Sequence, residues 1–101
     1  MYGLHNSLQA TSGKGKELAD ILLRAAEEVS KVEGCKAYLV SIDTGDPDRI
    51  WVTEFWNRKE DHDASLQLPE VKSLIGKAMP ILDGMPVGGP EIRLVGGYGL
   101  D

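Results

Sequence analysis

The middle of the chain contains the run Ile50-Trp51-Val52-Thr53-Glu54-Phe55-Trp56, in which β-branched and aromatic residues predominate. Such residues favour extended backbone, so the run predicts a strand. A second apolar run, Cys35 to Ile42, precedes it, and residues 43–48 between them are rich in aspartate, glycine and proline. Turn residues between two extended runs predict a β-hairpin. This hairpin decides the fold, because it fixes two neighbouring strands in the middle of the chain.

Periodicity predicts further elements on both sides of the hairpin. Residues 2–10 alternate between apolar and polar positions, which predicts a strand. Residues 15–32 carry apolar side chains three and four positions apart, which predicts an amphipathic helix, and Gly34 suits the left-handed turn beyond it. After the hairpin, Asn57 is the predicted N-cap of a short helix that ends near Leu66.

The last third of the chain predicts one more helix and one more strand. Pro69 suits the first position of a helix, and Pro80 with Gly84 ends it. Residues 91–98 begin with alternating apolar residues and predict a final strand that loosens at its glycines. The resulting order, β-α-β-β-α-β, predicts a single α+β domain over residues 1–101, with a ferredoxin-like, four-stranded antiparallel sheet and helices on one face.

One face of such a sheet has no helices to cover it. The central strands carry aromatic and aliphatic residues on both faces, so part of this apolar surface stays exposed in a single chain. A small protein with such a surface covers it most simply with a second copy of itself. The pattern therefore predicts a homodimer.

Composition excludes several classes of protein. The 101 residues carry a net charge of -5, and a negative surface repels nucleic-acid phosphates, so no nucleic-acid partner is expected. No apolar run is long enough to span a membrane, and the first residues lack the pattern of a signal peptide. A single cysteine, Cys35, forms no internal disulfide. These features predict a cytoplasmic protein without membrane association.

Two polar residues are candidates for chemistry. Asn6 falls among apolar positions of the first strand, where a carboxamide costs free energy unless it is hydrogen-bonded, either to nearby backbone or water, or to a ligand. His62 shares one side of the short helix with Leu66 and suits a base near neutral pH, although an exposed histidine fits the same pattern. His5 points away from Asn6, and we predict that it is an interface or structural residue. The run Asp61-His62-Asp63 directs its side chains apart, which predicts no metal site.

The aromatic strand offers two tryptophans and one acid. Trp51 and Trp56 are five residues apart and therefore lie on opposite faces of the strand. Packing in the core is the favoured interpretation for Trp51. Glu54 shares its face with Trp56 and is either a pocket acid or an interface charge; we favour an interface charge paired with Arg93 or Lys36.

Three short segments carry a family resemblance. They are Thr11-Ser12-Gly13-Lys14-Gly15-Lys16-Glu17-Leu18 at the entrance to the first helix, Val52-Thr53-Glu54-Phe55-Trp56-Asn57-Arg58-Lys59-Glu60, and His62-Asp63-Ala64-Ser65-Leu66-Gln67-Leu68-Pro69-Glu70-Val71. Together they resemble the antibiotic biosynthesis monooxygenase (ABM) family of dimeric α/β barrels, which includes small quinol monooxygenases. The resemblance spans nearly the whole chain.

The resemblance implies a pocket between sheet and helices, in which a phenol, quinol or anthrone reacts with O2 without metal, flavin or other cofactor. Many relatives have a histidine where this chain has Ser65, and the nearby histidine here is His62. The heme-degrading branch shares Asn6 but not its other partners, so heme degradation is disfavoured. We predict that Asn6, which matches a family position, and His62, which is chosen from its place on the short helix, are catalytic. We also predict that the substrate contacts Leu4, Leu8, Trp56, Ser65 and Leu66.

Two other functions remain open for such a dimeric barrel. One is the isomerisation or fragmentation of a small carbonyl metabolite, which requires proton transfer but no O2. The other is a non-catalytic protein that binds a small hydrophobic ligand. The favoured prediction is a cofactor-independent monooxygenase that acts on a small aromatic, quinol or anthrone-like substrate.

Overall fold

Four strands form one antiparallel sheet in the order β2-β3-β1-β4, and the helices pack against one face of it. The computed structural model describes residues 1–100. The elements are β1 (Tyr2–Gln9), α1 (Gly15–Val29), β2 (Cys35–Asp43), β3 (Asp46–Trp56), α2 (Lys59–Ser65), α3 (Pro69–Ala78), a 3-10 turn (Met79–Ile81) and β4 (Ile92–Arg93). The predicted α+β, ferredoxin-like fold is confirmed.

The expected hairpin pairs β2 with β3, and β1 pairs with the other edge of β3. Within β3, Ile50, Val52, Glu54 and Trp56 are buried and alternate with half-buried residues. Because side chains alternate across a strand, these four residues face the helices. One of the four is an acid, and this position determines the candidate site.

The core lies between the sheet and the helices. Leu18 from α1, Ile50 and Trp56 are completely buried. Leu18 and Ile50 belong to a larger cluster, whereas Trp56 packs with Val29 and Val71 in a smaller one. The amphipathic pattern of α1 thus supplies apolar side chains to both clusters.

The start of α1 is held against the β2–β3 hairpin. The two carboxylate oxygens of Asp48 accept hydrogen bonds from the backbone N–H groups of Gly13 and Gly15, at 3.1 and 2.9 Å. A Cβ atom at Gly15 would collide with the backbone oxygen of Pro47. Glycine therefore allows the helix to begin in direct contact with the hairpin.

Two predicted boundaries were wrong by a few residues. α1 ends at Val29 rather than Val32, and the chain then turns through Gly34, which has the expected positive φ of 97°. Asn57 is not an N-cap: its backbone N–H donates to the Gly34 carbonyl at 2.8 Å, and α2 begins at Lys59. The residue continues the pairing of the strands instead.

The final strand is much shorter than predicted. β4 comprises only Ile92 and Arg93, which pair with Tyr2 and Gly3 at the beginning of β1. Further along the same edge, Ser7 pairs with Val87 through two backbone hydrogen bonds of 2.9 and 3.1 Å. Beyond Arg93, the backbone N–H of Leu94 donates to the carbonyl of Met1 at 2.9 Å, so in this register residues 95–98 extend past the start of β1 instead of pairing with it.

The other face of the sheet is open. Leu39 on β2 is 56% exposed, and Trp51, Thr53 and Phe55 on β3 are half-buried. His5 stacks on Trp51, with ring centroids 4.8 Å apart, and its Nδ1 lies 2.8 Å from the hydroxyl of Thr53. A single chain therefore forms an open sheet and not the closed barrel of the prediction. None of the helices in residues 1–100 is long and apolar enough to cross a membrane.

Candidate functional site

An apolar cavity of about 280 Å³ lies between the helix-facing side of the sheet and the helices. Its apolar walls come from β1, α1 and α3, and Leu66, Met79 and Pro86 also line it. A second depression, of about 400 Å³, lies between α1 and α3, but it is open and lined mainly by charged residues. An enclosed apolar cavity with few polar groups is typical of small-ligand sites, so the first is the candidate site.

Four residues with polar side chains line this cavity: Tyr38, Glu54, His62 and Ser65. Tyr38 and Glu54 are direct cross-strand neighbours on β2 and β3. His62 and Ser65 come from α2, which follows β3 after a short link. The polar part of the cavity is therefore built by the hairpin and the short helix.

Glu54 and His62 form the centre of this polar group. Oε1 of Glu54 accepts a hydrogen bond from Nε1 of Trp56 at 3.1 Å and lies 4.0 Å from Nε2 of His62. The imidazole and the Trp56 ring meet edge to face, with centroids 5.7 Å apart. The completely buried Trp56 therefore contacts both Glu54 and His62.

The other nitrogen of His62 contacts Asp63. Nδ1 lies 3.0 Å from Oδ1 of Asp63, and this hydrogen bond is the main reason why the pKa of Asp63 is lowered. A carboxylate accepts but cannot donate, so the proton of a neutral imidazole resides on Nδ1. Nε2 is then unprotonated, faces Glu54, and can accept a proton.

Burial raises the pKa of two acidic groups in the cavity, Glu54 and Tyr38. Desolvation raises the pKa of Glu54, while the hydrogen bond from Trp56 and the charge of His62 oppose this rise. Desolvation also strongly raises the pKa of Tyr38, and the negative charge of Glu54 adds to this effect. Glu54 can therefore exchange protons at a pH above its ordinary range, and Tyr38 stays neutral.

The structure brings some of the predicted site residues to the cavity. His62, Ser65, Leu66 and Leu8 line it. The Ser65 hydroxyl donates to the backbone oxygen of His62 at 2.6 Å, so it is already engaged within α2.

Three other predicted residues lie outside the cavity lining: Leu4, Asn6 and Trp56. Oδ1 of Asn6 accepts a hydrogen bond from the backbone N–H of Gly89 at 3.0 Å. This is the backbone-bonded alternative considered for Asn6, and it fastens the segment before β4 to β1. Trp56 is packed behind the polar group and does not form its surface.

The structure corrects two interpretations of β3. Glu54 is not an interface charge paired with Arg93 or Lys36, because it is buried, bonded to Trp56 and part of the cavity. Trp51 does not pack in the core: it lies half-buried on the open face and donates to Asp43 at 3.1 Å. The sequence contained the signal for Glu54, since it falls on the apolar side of an alternating strand.

Tyr38 is the polar residue of the cavity that the sequence did not indicate as a site residue. Its hydroxyl belongs to a side chain that alternates with Val40 and Ile42, and this pattern resembles that of a core residue. The register Tyr38↔Glu54, which places the two side by side, depends on the bulge between Cys35 and Ala37. Such a bulge has no clear signal in the sequence.

The burial of Glu54 predicts a pH-dependent stability. Its pKa is raised in the folded state, so the folded protein holds this proton at pH values where the unfolded chain has lost it. Stability therefore falls as pH rises from the unfolded pKa through the folded one. We expect Glu54→Gln, which keeps an acceptor for Trp56, to raise Tm at pH 7 by several degrees but not at pH 4.

Thermal unfolding between pH 4 and pH 8 measures this difference. Glu60→Gln removes an exposed carboxylate from the same region and serves as the matched control. A Tm difference between Glu54→Gln and the unmodified protein that is the same at every pH would contradict the assignment.

Among residues 1–100, no group of three or more histidine, cysteine, aspartate or glutamate side chains is arranged to hold a metal ion. The fold and the cavity together define a class: a ferredoxin-like α+β protein with an apolar cavity that has Glu54 and His62 at one wall. The family model described as antibiotic biosynthesis monooxygenase matches residues 1–77. The chain belongs to this family.

Solved structures agree with this assignment. A protein from Chloroflexus aurantiacus J-10-fl, provisionally described as an antibiotic biosynthesis monooxygenase, is 38% identical with a TM-score of 0.85, covering 99% of this chain and 98% of its own. A similarly described protein from Deinococcus radiodurans is 24% identical with a TM-score of 0.79, covering 98% and 100%. One from Nitrosomonas europaea, 12% identical with a TM-score of 0.88, covers 97% and 93%. The last two show the fold alone. No curated protein matches the chain.

Proposed function

We propose that this protein is a monooxygenase that oxidises a small hydroxylated aromatic compound, such as a quinol or an anthrone, with O2 and without a metal or organic cofactor. The observation that carries the proposal is the position of His62, between Asp63 and Glu54 at the wall of an apolar cavity. Family membership supports the same reaction class.

The first step is a proton transfer to His62. Nε2 accepts the proton of the substrate, and Asp63 stabilises the imidazolium that forms through its hydrogen bond to Nδ1. Glu54, 4.0 Å from Nε2, adds a second negative charge when it is ionised.

The second step is the reaction of the substrate anion with O2. An electron-rich phenolate or enolate transfers an electron to O2 directly, and the two radicals combine at a ring carbon to give a peroxide. Cleavage of its O–O bond leaves one oxygen atom as a new carbonyl and releases the other as water. The substrate supplies all four electrons and both hydrogen atoms of the water, so no external reductant is needed.

The cavity suits a neutral aromatic ring. Its walls are mainly aliphatic, and its volume of about 280 Å³ matches a compound of one or a few rings. No lysine or arginine lines it within the described residues, so nothing there would bind a carboxylate or phosphate. An apolar wall also keeps water away from the anion while it reacts with O2.

Oxygen uptake tests the proposal. The purified protein, dialysed against a chelator, is mixed with a panel of hydroquinones and anthrones in an oxygen-electrode cell. We expect consumption of one O2 per substrate oxidised, at a rate that the chelator does not change. Uptake that is lost on chelation and restored by a metal would overturn the cofactor-independent mechanism. Isomerisation without uptake, or binding without turnover, would favour the two alternative functions.

We further propose that the open face of the sheet pairs with a second copy to form a cytoplasmic homodimer. This face presents Leu39, which is 56% exposed, together with the half-buried Trp51 and Phe55. A two-fold interface pairs the same surface on both copies, and burial of apolar surface stabilises it. The single, half-buried Cys35 forms no internal disulfide, which suits a reducing compartment.

The dimer predicts a large effect of charge on this face. We expect Leu39→Lys to weaken dimerisation by about 10- to 100-fold, because it places a charge in the proposed interface. Light scattering over a dilution series measures the dissociation constant. Leu23→Lys, at an exposed leucine on α1, is the matched control and should leave the dimer intact. Equal effects of both variants would contradict the proposed interface.

A further inference from the structure

The hydroxyl group of Tyr38 has no role in the fold. The tyrosine ring packs against both core clusters, and the side chain lines the cavity beside Glu54. Within residues 1–100, the Tyr38 hydroxyl has no hydrogen-bond partner. In the same residues, every side-chain oxygen or nitrogen that is fully buried does have a partner. The Tyr38 hydroxyl is therefore not sealed in the core but is accessible at the cavity.

The other polar groups around the cavity are already engaged. Ser65 donates its hydroxyl proton to the backbone of His62, and Glu54 accepts the indole N–H of Trp56. The carboxamide oxygen of Asn6 is bonded to Gly89, outside the lining. Tyr38 is thus the neutral donor at the cavity that is free to bind a ligand, and its raised pKa keeps it neutral.

We propose that Tyr38 is a catalytic residue that donates a hydrogen bond to the reacting oxygen of the substrate, on the same polar wall of the cavity as the proton acceptor His62. Negative charge develops on this oxygen when His62 removes the proton, and a donor aimed at that charge stabilises it more than it stabilises the neutral substrate. The inference rests on the proposed function, since it assigns a second group to the same deprotonation.

The ligand implied is a neutral phenol or enol. Its hydroxyl oxygen lies between a donor and an acceptor, and its ring occupies the aliphatic part of the cavity. Glu54 adds a carboxylate to the same wall, so a ligand that already carries an acidic group elsewhere is repelled. The site thus selects compounds that are uncharged before they bind.

Tyr38→Phe tests the inference without any turnover. This substitution removes only an unbonded hydroxyl, so we expect an unchanged Tm. The probe is 4-nitrophenol, whose ionisation is followed by visible absorbance, and nitrobenzene is the matched ligand without a hydroxyl. We expect Tyr38→Phe to bind 4-nitrophenolate about 10- to 100-fold more weakly, with a higher apparent pKa of the bound phenol, and to bind nitrobenzene normally. Tyr98→Phe, at a fully exposed tyrosine, should change neither.

Several outcomes overturn the inference. They are a Tyr38→Phe variant that binds 4-nitrophenol as tightly as the unmodified protein, equal losses for 4-nitrophenol and nitrobenzene, and an unmodified protein that does not bind 4-nitrophenol. A selective loss of phenol binding in a protein without oxygen uptake would support the role of Tyr38 while overturning the monooxygenase proposal. If Tyr38→Phe leaves oxygen uptake unchanged, this result would support the monooxygenase proposal and overturn the role of Tyr38. With both proposals correct, uptake falls by about 100-fold or more in this variant.

Discussion

Replacing His62 with alanine should lower the rate of oxygen uptake by about 10²- to 10⁴-fold, the range typical of a lost general base. Nε2 of His62 lies 4.0 Å from Oε1 of Glu54 at the wall of the cavity, and no other histidine lines the site. Binding of 4-nitrophenol in its neutral form should persist, because the aliphatic walls remain. Oxygen uptake at saturating substrate, together with binding at low pH, separates these two effects.

Two comparisons make this result specific. His5→Ala removes the other histidine, which stacks on Trp51 on the open face, and should leave the uptake rate unchanged. Added imidazole should restore part of the activity of His62→Ala, since it can occupy the space left by the side chain. A variant that keeps more than a tenth of the activity would show that His62 is not the base, and Glu54 would then be the next candidate.

Replacing Trp56 with alanine should produce the largest loss of stability, about 3–5 kcal/mol. The indole is completely buried, packs with Val29 and Val71, and donates its N–H to the buried Glu54. Its removal leaves a cavity and takes a donor from a desolvated carboxyl group. A domain of this size typically has only 5–15 kcal/mol of stability, so the variant will be only marginally folded.

Urea unfolding at one fixed protein concentration measures this loss. Trp56→Phe keeps most of the ring volume but not the donor, so it reports the hydrogen bond with a smaller packing defect. Trp51→Ala removes the same side chain from the half-buried open face and should cost clearly less. If Trp51→Ala is at least as destabilising as Trp56→Ala, the assignment of Trp56 to the structural centre of the site is wrong.

The fold was predictable because its signals are local. The aromatic run of β3, the aspartate-rich turn before it and the periodicity of α1 each require only neighbouring residues. The errors arose where long-range pairing decides the outcome. Asn57 resembles an N-cap, but the carbonyl of Gly34 accepts its N–H, and β4 is short because its register carries residues 95–98 past the start of β1.

The site was predictable only in part. His62 was identified from its position on a short helix and Ser65 from the family resemblance, and the structure places both at the cavity. Glu54 was misassigned because the sequence shows on which face of the strand it lies but not which residues pack against that face. Asn6 also faces the helices, yet the segment around Gly89 crosses next to it and takes its carboxamide oxygen. Long-range contacts of this kind leave no periodic signal.

The two walls of the cavity come from different parts of the chain. Of the polar lining residues, Glu54, His62 and Ser65 fall within a single stretch of β3 and α2, and Tyr38 comes from the neighbouring strand β2. The aliphatic wall opposite comes largely from α1 and α3. Under the proposed function, substrate range and proton chemistry are therefore encoded separately: substitutions on α3, such as at Leu74 or Ile75, reshape the space for the ring without moving Glu54 or His62. We expect a collection of α3 variants to differ in the ligands they bind and to share one pH profile.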